Sequence, residues 1–159
     1  MSSNKPNYPR MLNLIDEVFA TRNDPDQIQV TAQEMIKLNQ IHTSCLSELA
    51  DDKGPLIWVL MIPTTIAIMQ DFLNDKITEK ELLDNTPINT TYEAIYLCSA
   101  TTLPEHRNFG KTKQLCLNSI KEIQSTNLIT HLFVWPFTKE GRALATTIAN
   151  ATSLKLLIK

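Results

Sequence analysis

Glycine is scarce in this chain, three residues in 159, so a glycine placed in a loop carries weight. Cysteine is equally sparse. Cys45, Cys98 and Cys116 are scattered and odd in number, which suggests neither a disulfide framework nor a metal knuckle, and no metal is expected. Long basic runs are missing and the net charge is -2, which argues against general nucleic-acid binding. No early apolar core with a cleavage site is found, and no apolar stretch approaches the roughly 20 residues that span a bilayer. The expectation is a cytoplasmic chain without membrane contact. Repeats and linkers are lacking too, so residues 1–159 read as a single domain. With 43% apolar and 20% charged residues, the chain has enough for one buried core.

Taken in order, residues 1–9 are polar with two prolines and read as a loose lead-in. From Met11 the residues Leu12, Ile15, Val18 and Phe19 fit one helical face, closed by a turn at Asn23-Asp24-Pro25-Asp26. Gln27 to Val30 reads as a short extended piece. Thr31-Ala32-Gln33-Glu34 has the form of a capping box. The helix it opens should run to about Ala50 on a stripe of Met35, Leu38, Ile41, Cys45 and Leu49, with His42 beside the core and Asp51 to Gly54 closing it. Leu56 to Ile62, between Pro55 and Pro63, is a continuous apolar run of the kind covered on both faces, an inner strand. Thr64 or Thr65 can start a helix through about Leu73, and Thr78-Glu79-Lys80-Glu81 repeats the capping-box pattern. Asn89-Thr90-Thr91 reads as a polar loop.

The stretch from Glu93 to Ile123 is the most informative. Ala94 to Leu103 is rich in aromatic, branched and thin side chains, as a buried strand should be, and Pro104 stops it. Leu115, Cys116, Ser119, Ile120 and Ile123 then mark a helix that begins near Gly110. A loop between a strand's end and a helix's start presents unpaired N–H groups and the positive end of the helix dipole, so it suits a phosphate. Gly110 lets a ligand approach the backbone, and Arg107 and Lys111 flank it; a tight turn with two solvated cations is the alternative. Leu128 to Phe137 reads as another strand, Lys139 to Ser153 as a helix, and LKLLI as a last strand. This alternation predicts an α/β layered sheet with helices packed on it.

The segment TLPEHRNFGKT resembles the acyl-CoA signature of the GNAT N-acetyltransferase superfamily. The match is Pro104, Glu105, His106 and Arg107, continued by Asn108, Phe109, Gly110, Lys111 and Thr112. His106 stands where an aromatic is usual, and Thr112 where the family prefers glycine or alanine. The resemblance implies an α+β fold: a central mixed sheet flanked by helices on both faces, here with extra helices over 64–85 before the signature strand. It implies an N-acyltransferase that takes acetyl-CoA, or another acyl-CoA, as co-substrate and passes the acyl group directly to an amine. By the resemblance, the main chain of Ala100, Thr101 and Thr102 would meet the pantetheine arm, and the pyrophosphate would lie over Asn108 to Thr112. The family's usual asparagine and tyrosine fall on Thr138 and Ala145, so the usual acid is missing. Glu93 is the nearest carboxylate to the expected thioester and a candidate base, with Tyr96 and His131 as further candidates. Tyr96 and Cys98 share a face of the strand and Glu93 lies on the other.

Two other readings stay open. A non-catalytic acyl-CoA-binding or interaction module would account for Ala145 and Thr112. Alternatively, Gly110-Lys111-Thr112 ends a Walker A loop of a nucleotide-binding protein, although Glu105 stands where that motif has its first glycine. A sheet shorter than the family's usual strand count would leave an edge for a homodimer.

Overall fold

The structure, a computed structural model, describes residues 5–19, 26–28, 30–107 and 110–159. Its elements run α1 (Asn7–Phe19), α2 (Ala32–Ile41), β1 (Leu46–Asp51), β2 (Gly54–Thr64), α3 (Ile66–Leu73), α4 (Glu79–Asn85), β3 (Ala94–Thr102), α5 (Lys111–Gln124), β4 (His131–Val134), α6 (Lys139–Thr152) and β5 (Lys155–Ile158), with a 3-10 turn at Pro104–His106. The five strands form one mixed sheet in the order β1-β2-β3-β4-β5. The pairs β1–β2 and β2–β3 are antiparallel, and the pairs β3–β4 and β4–β5 are parallel. The α/β class expected from the sequence is therefore present, with six helices around a five-stranded sheet.

The apolar run of β2 is buried along nearly its whole length, which suits a strand with a neighbour on each side. It extends through both prolines that were expected to bound it. Pro63 is tolerated because β1 pairs with β2 only as far as Leu60, apart from the single bond from Met61 N–H to Cys45 O. Pro55 sits at an irregularity, where Leu49 faces Ile57 and Ala50 faces Pro55.

The second helix is the main correction. It was expected to reach Ala50, but α2 ends at Ile41 and residues 46–51 form an edge strand. Asp51 to Gly54 is a hairpin turn, with Asp51 facing Gly54 and Gly54 at φ +113°. The capping box proposed at Thr31 is also absent: no side-chain bond forms there. The second box is present, with Glu81 N–H donating to Thr78 Oγ1 and Thr78 N–H to Glu81 Oε1, both at 3.1 Å. At the start of the chain, α1 opens at Asn7, and Met11 rather than Leu12 is its buried anchor. The turn at Asn23–Pro25 lies outside the described residues, and Gln27–Ile28 forms no strand. Farther on, β4 covers only His131–Val134 of the expected Leu128–Phe137, and Leu128 is 84% exposed.

The core is continuous, and its aromatic centre joins β3, β4 and α3. Tyr96 stacks on Phe133 at 5.0 Å and meets Phe72 at 5.1 Å, and Trp135 stands edge-on to Phe72 at 6.0 Å. Cys45 and Cys116 lie in the same core, where burial pushes each thiol up to about 12, so both serve as small hydrophobes.

Candidate functional site

The site follows from where two parallel strands part. Strand β4 pairs with β3 only over Ala94–Leu97, while β3 continues to Thr102 on its β2 side alone. Pro136 explains the parting, since it cannot donate to a ladder and the chain after Val134 leaves the sheet. A β-bulge coincides with it: Leu60 faces Ser99 and Met61 faces Leu97, so Cys98 is the extra residue of β3. Between the open edge of β3 and the segment 135–141 lies a cleft of about 560 Å³. Ala100, Thr101, Thr102, Arg107, Thr112 and Thr138 all line it.

The strand delivers the chain to a helix start. Leu103 N–H donates to Leu56 O at 3.0 Å, the 3-10 turn follows, and Arg107 Nε bonds back to Thr102 O at 3.1 Å. Gly110 caps α5 at φ +75°, a backbone conformation that other residues reach only at a cost of about 1–2 kcal/mol. The first bond of α5 runs from Gln114 N–H to Gly110 O, so the amides of Lys111, Thr112 and Lys113 precede the helical ladder. Thr112 turns its hydroxyl to that of Thr102 at 2.6 Å. Lys111 Nζ is 3.2 Å from His106 Nδ1. Asn108 and Phe109 lie outside the described residues.

Glu105 has a different task from any ligand contact. Its carboxylate is gripped by Arg10 of α1, with NH1 to Oε1 at 2.7 Å and NH2 to Oε2 at 2.8 Å. That hydrogen-bonded pair, aided by a backbone bond, holds the carboxyl well below its ordinary 4.5, at about 2. A depressed acid contributes stability that is present above the unfolded value and is lost as pH falls through the folded one. Wild type should therefore lose more stability than Glu105→Gln between pH 4.5 and 2, as read by urea denaturation at stepped pH. Parallel curves would remove the pair from the stability account.

A second cavity, about 610 Å³, shares Cys98, Ser99, Thr101 and Phe137 with the cleft. Its wall includes Glu79, the first residue of α4, which is only 4% exposed. Three donors converge on that carboxylate. Ile28 N–H reaches Oε1 at 2.9 Å, the Tyr96 hydroxyl reaches Oε2 at 2.5 Å, and the Cys98 thiol bonds to it as well. Burial first, then the neighbouring acids, pushes Tyr96 and Cys98 well above their ordinary values, so both stay protonated donors.

The residues named from the sequence thus divide. Ala100, Thr101, Thr102, Arg107 and Thr112 come together on the cleft, with Gly110 and Lys111 at the adjoining helix start. Tyr96 and Cys98 do share a face, since both reach Glu79. Tyr96 itself is fully buried and lines neither cavity. Glu93 is displaced from the site: it is exposed, precedes β3 at the end remote from the open edge, and its backbone is engaged with Thr64, Thr130 and His131. His131 starts β4 beside it. Ala145 is fully buried in α6, and Thr138 caps that helix by accepting from Gly141 N–H at 3.0 Å. Glu79 was read only as part of a capping box, and nothing in its local pattern separates that duty from this one.

Comparison of the chain with family models, curated proteins and solved structures gives no match. What the fold and site define is a mixed α/β domain with an open strand edge, a helix start and a buried carboxylate around two adjoining cavities. Among the described residues, no helix is long and apolar enough to cross a membrane, and no group of three or more His, Cys, Asp or Glu could hold a metal ion.

Proposed function

We propose that the protein is an acyl-CoA-dependent N-acyltransferase of the GNAT type, with acetyl-CoA as the simplest donor. The observation that carries the reading is the open edge of β3 from Cys98 to Thr102, which leads directly into the Gly110 helix start. An extended pantetheine arm can add to that edge by main-chain hydrogen bonds, as peptides do on exposed strands. The amides of Lys111 to Lys113 and the Arg107 guanidinium then meet the pyrophosphate. In the reaction the neutral amine attacks the thioester carbonyl, a C–N bond forms and the C–S bond breaks. The proton lost by nitrogen balances the one gained by the thiolate. Glu79, which lines the second cavity, is the carboxylate we assign to take the amine's proton, in place of Glu93. Alignment of the two reactants across β3 supplies much of the remaining rate.

Titration calorimetry tests the phosphate contact. Arg107→Ala should weaken CoA binding by roughly 1–3 kcal/mol, as loss of a charge-assisted bond does. Unchanged affinity would remove Arg107 from the site. A second reading, a non-catalytic acyl-CoA-binding module, draws on Ala145, which supplies no acid where the family has a tyrosine. CoA binding without turnover over a broad amine panel would favour it.

A further inference from the structure

We infer that the second cavity takes the acyl chain of the donor, which makes a medium-chain fatty-acyl thioester, rather than acetyl-CoA, the preferred co-substrate. The inference rests on the acyl-CoA reading of the cleft and names the acyl group that the site selects. The gap in the sheet is where the two volumes adjoin. Cys98, Ser99 and Thr101 border both of them from β3, and Phe137 borders both from the segment that leaves the sheet after β4. A pantetheine arm laid along the open edge from Thr102 towards Cys98 brings its thioester to that same gap. An acyl group that continues beyond the sulfur then has the second cavity before it.

The wall there suits a chain without polar groups. Leu12, Ile15, Ile28, Met35, Trp58 and Leu60 supply much of its apolar surface. Leu12, Val30 and Phe137, which all line it, are also exposed, so the apolar surface continues to the solvent side. Three exposed apolar side chains on one cavity are not the scattered kind that any surface carries. Several polar side chains on the wall are already engaged within the protein. Ser47 Oγ is 2.6 Å from Ser119 Oγ, Glu48 Oε2 accepts from Trp58 Nε1 at 2.6 Å, and Glu79 accepts from Ile28 N–H and the Tyr96 hydroxyl. Gln27 Oε1 is buried with no partner, one acceptor on a mainly apolar wall. A polar ligand of similar size would leave most of its own donors and acceptors unmade, whereas an alkyl chain has none to satisfy. Size agrees as well. An eight-carbon chain fills roughly 240 Å³ at about 30 Å³ per heavy atom, so the cavity of about 610 Å³ holds it with space left for a second reactant.

The test is calorimetric titration of the full chain with CoA, acetyl-CoA, hexanoyl-CoA and octanoyl-CoA, with octylamine titrated separately. A methylene fully taken out of water is worth about fourfold in affinity. Acetyl-CoA should therefore bind much as CoA does, and octanoyl-CoA at least about tenfold tighter than acetyl-CoA, with hexanoyl-CoA between them. Leu12→Asp puts a charge on the cavity wall at an exposed position of α1. It should cut the octanoyl gain to under about threefold, with CoA affinity unchanged. Equal affinity for acetyl-CoA and octanoyl-CoA, or a gain that survives whole in Leu12→Asp, would overturn the assignment. So would octylamine binding beside a flat thioester series, which would give the cavity to the acceptor's chain. The wild-type series needs no variant. Failure of CoA and every thioester to bind would sink the acyl-CoA reading and the inference with it, a result distinct from CoA binding that ignores chain length.

Discussion

Glu79→Gln is expected to lower turnover with an amine acceptor by roughly 10²- to 10⁴-fold, the usual worth of a positioned general base. CoA affinity should stay as in wild type, because Glu79 lines the second cavity and is no part of the cleft wall. The variant carries a structural cost as well. An amide nitrogen replaces one carboxylate oxygen, so one of the donors from Ile28, Tyr96 or Cys98 meets another donor. That should cost about 1–3 kcal/mol, visible in urea denaturation. Steady-state kinetics and denaturation together separate the two effects. A stable variant with full turnover would place the proton transfer elsewhere.

Phe72→Ala should have the largest effect on folding, about 3–5 kcal/mol, the cost of emptying a fully buried aromatic site. The side chain is 0% exposed and joins α3 to Tyr96, Phe133 and Trp135. These partners come from β3, β4 and the segment where β4 leaves the sheet. Its loss should therefore loosen the point at which the cleft opens, and denaturant midpoints would report the change. A loss under about 1 kcal/mol would mean that the cluster collapses to refill the space.

Much of the sheet and most helices were legible because their signals were local. The apolar run of β2, the Thr78 capping box and the stripe of α5 each lie within one element, and each is present. The boundary between α2 and β1 was not legible. Cys45 and Leu49 continue the helical spacing of Met35, Leu38 and Ile41, whereas β1 is defined by its pairing with β2, a non-local fact. Asp51-Asp52-Lys53-Gly54 reads equally well as a helix stop or a hairpin turn, and only the partner strand decides. The Thr31 box failed for a related reason: its pattern matches, yet Glu34 points elsewhere and its Oε2 is buried without a partner.

The site was legible in the same uneven way. The cleft residues Ala100, Thr101, Thr102, Arg107 and Thr112 fall within one short stretch of sequence, so one motif carries them. Glu79 and Gln27 reach their cavity from separate segments, and no spacing along the chain records that meeting. Glu93 was attractive only because it is near in sequence, while the direction of β3 carries it away from the open edge.

Amide hydrogen exchange with and without CoA tests the central claim most directly, because it reads the backbone said to hold the ligand. The account predicts that CoA slows exchange selectively in Cys98–Thr102 and in Lys111–Lys113, and that magnesium ATP does not reproduce the β3 effect. Protection elsewhere, or protection of the Gly110 loop by magnesium ATP alone, would contradict it.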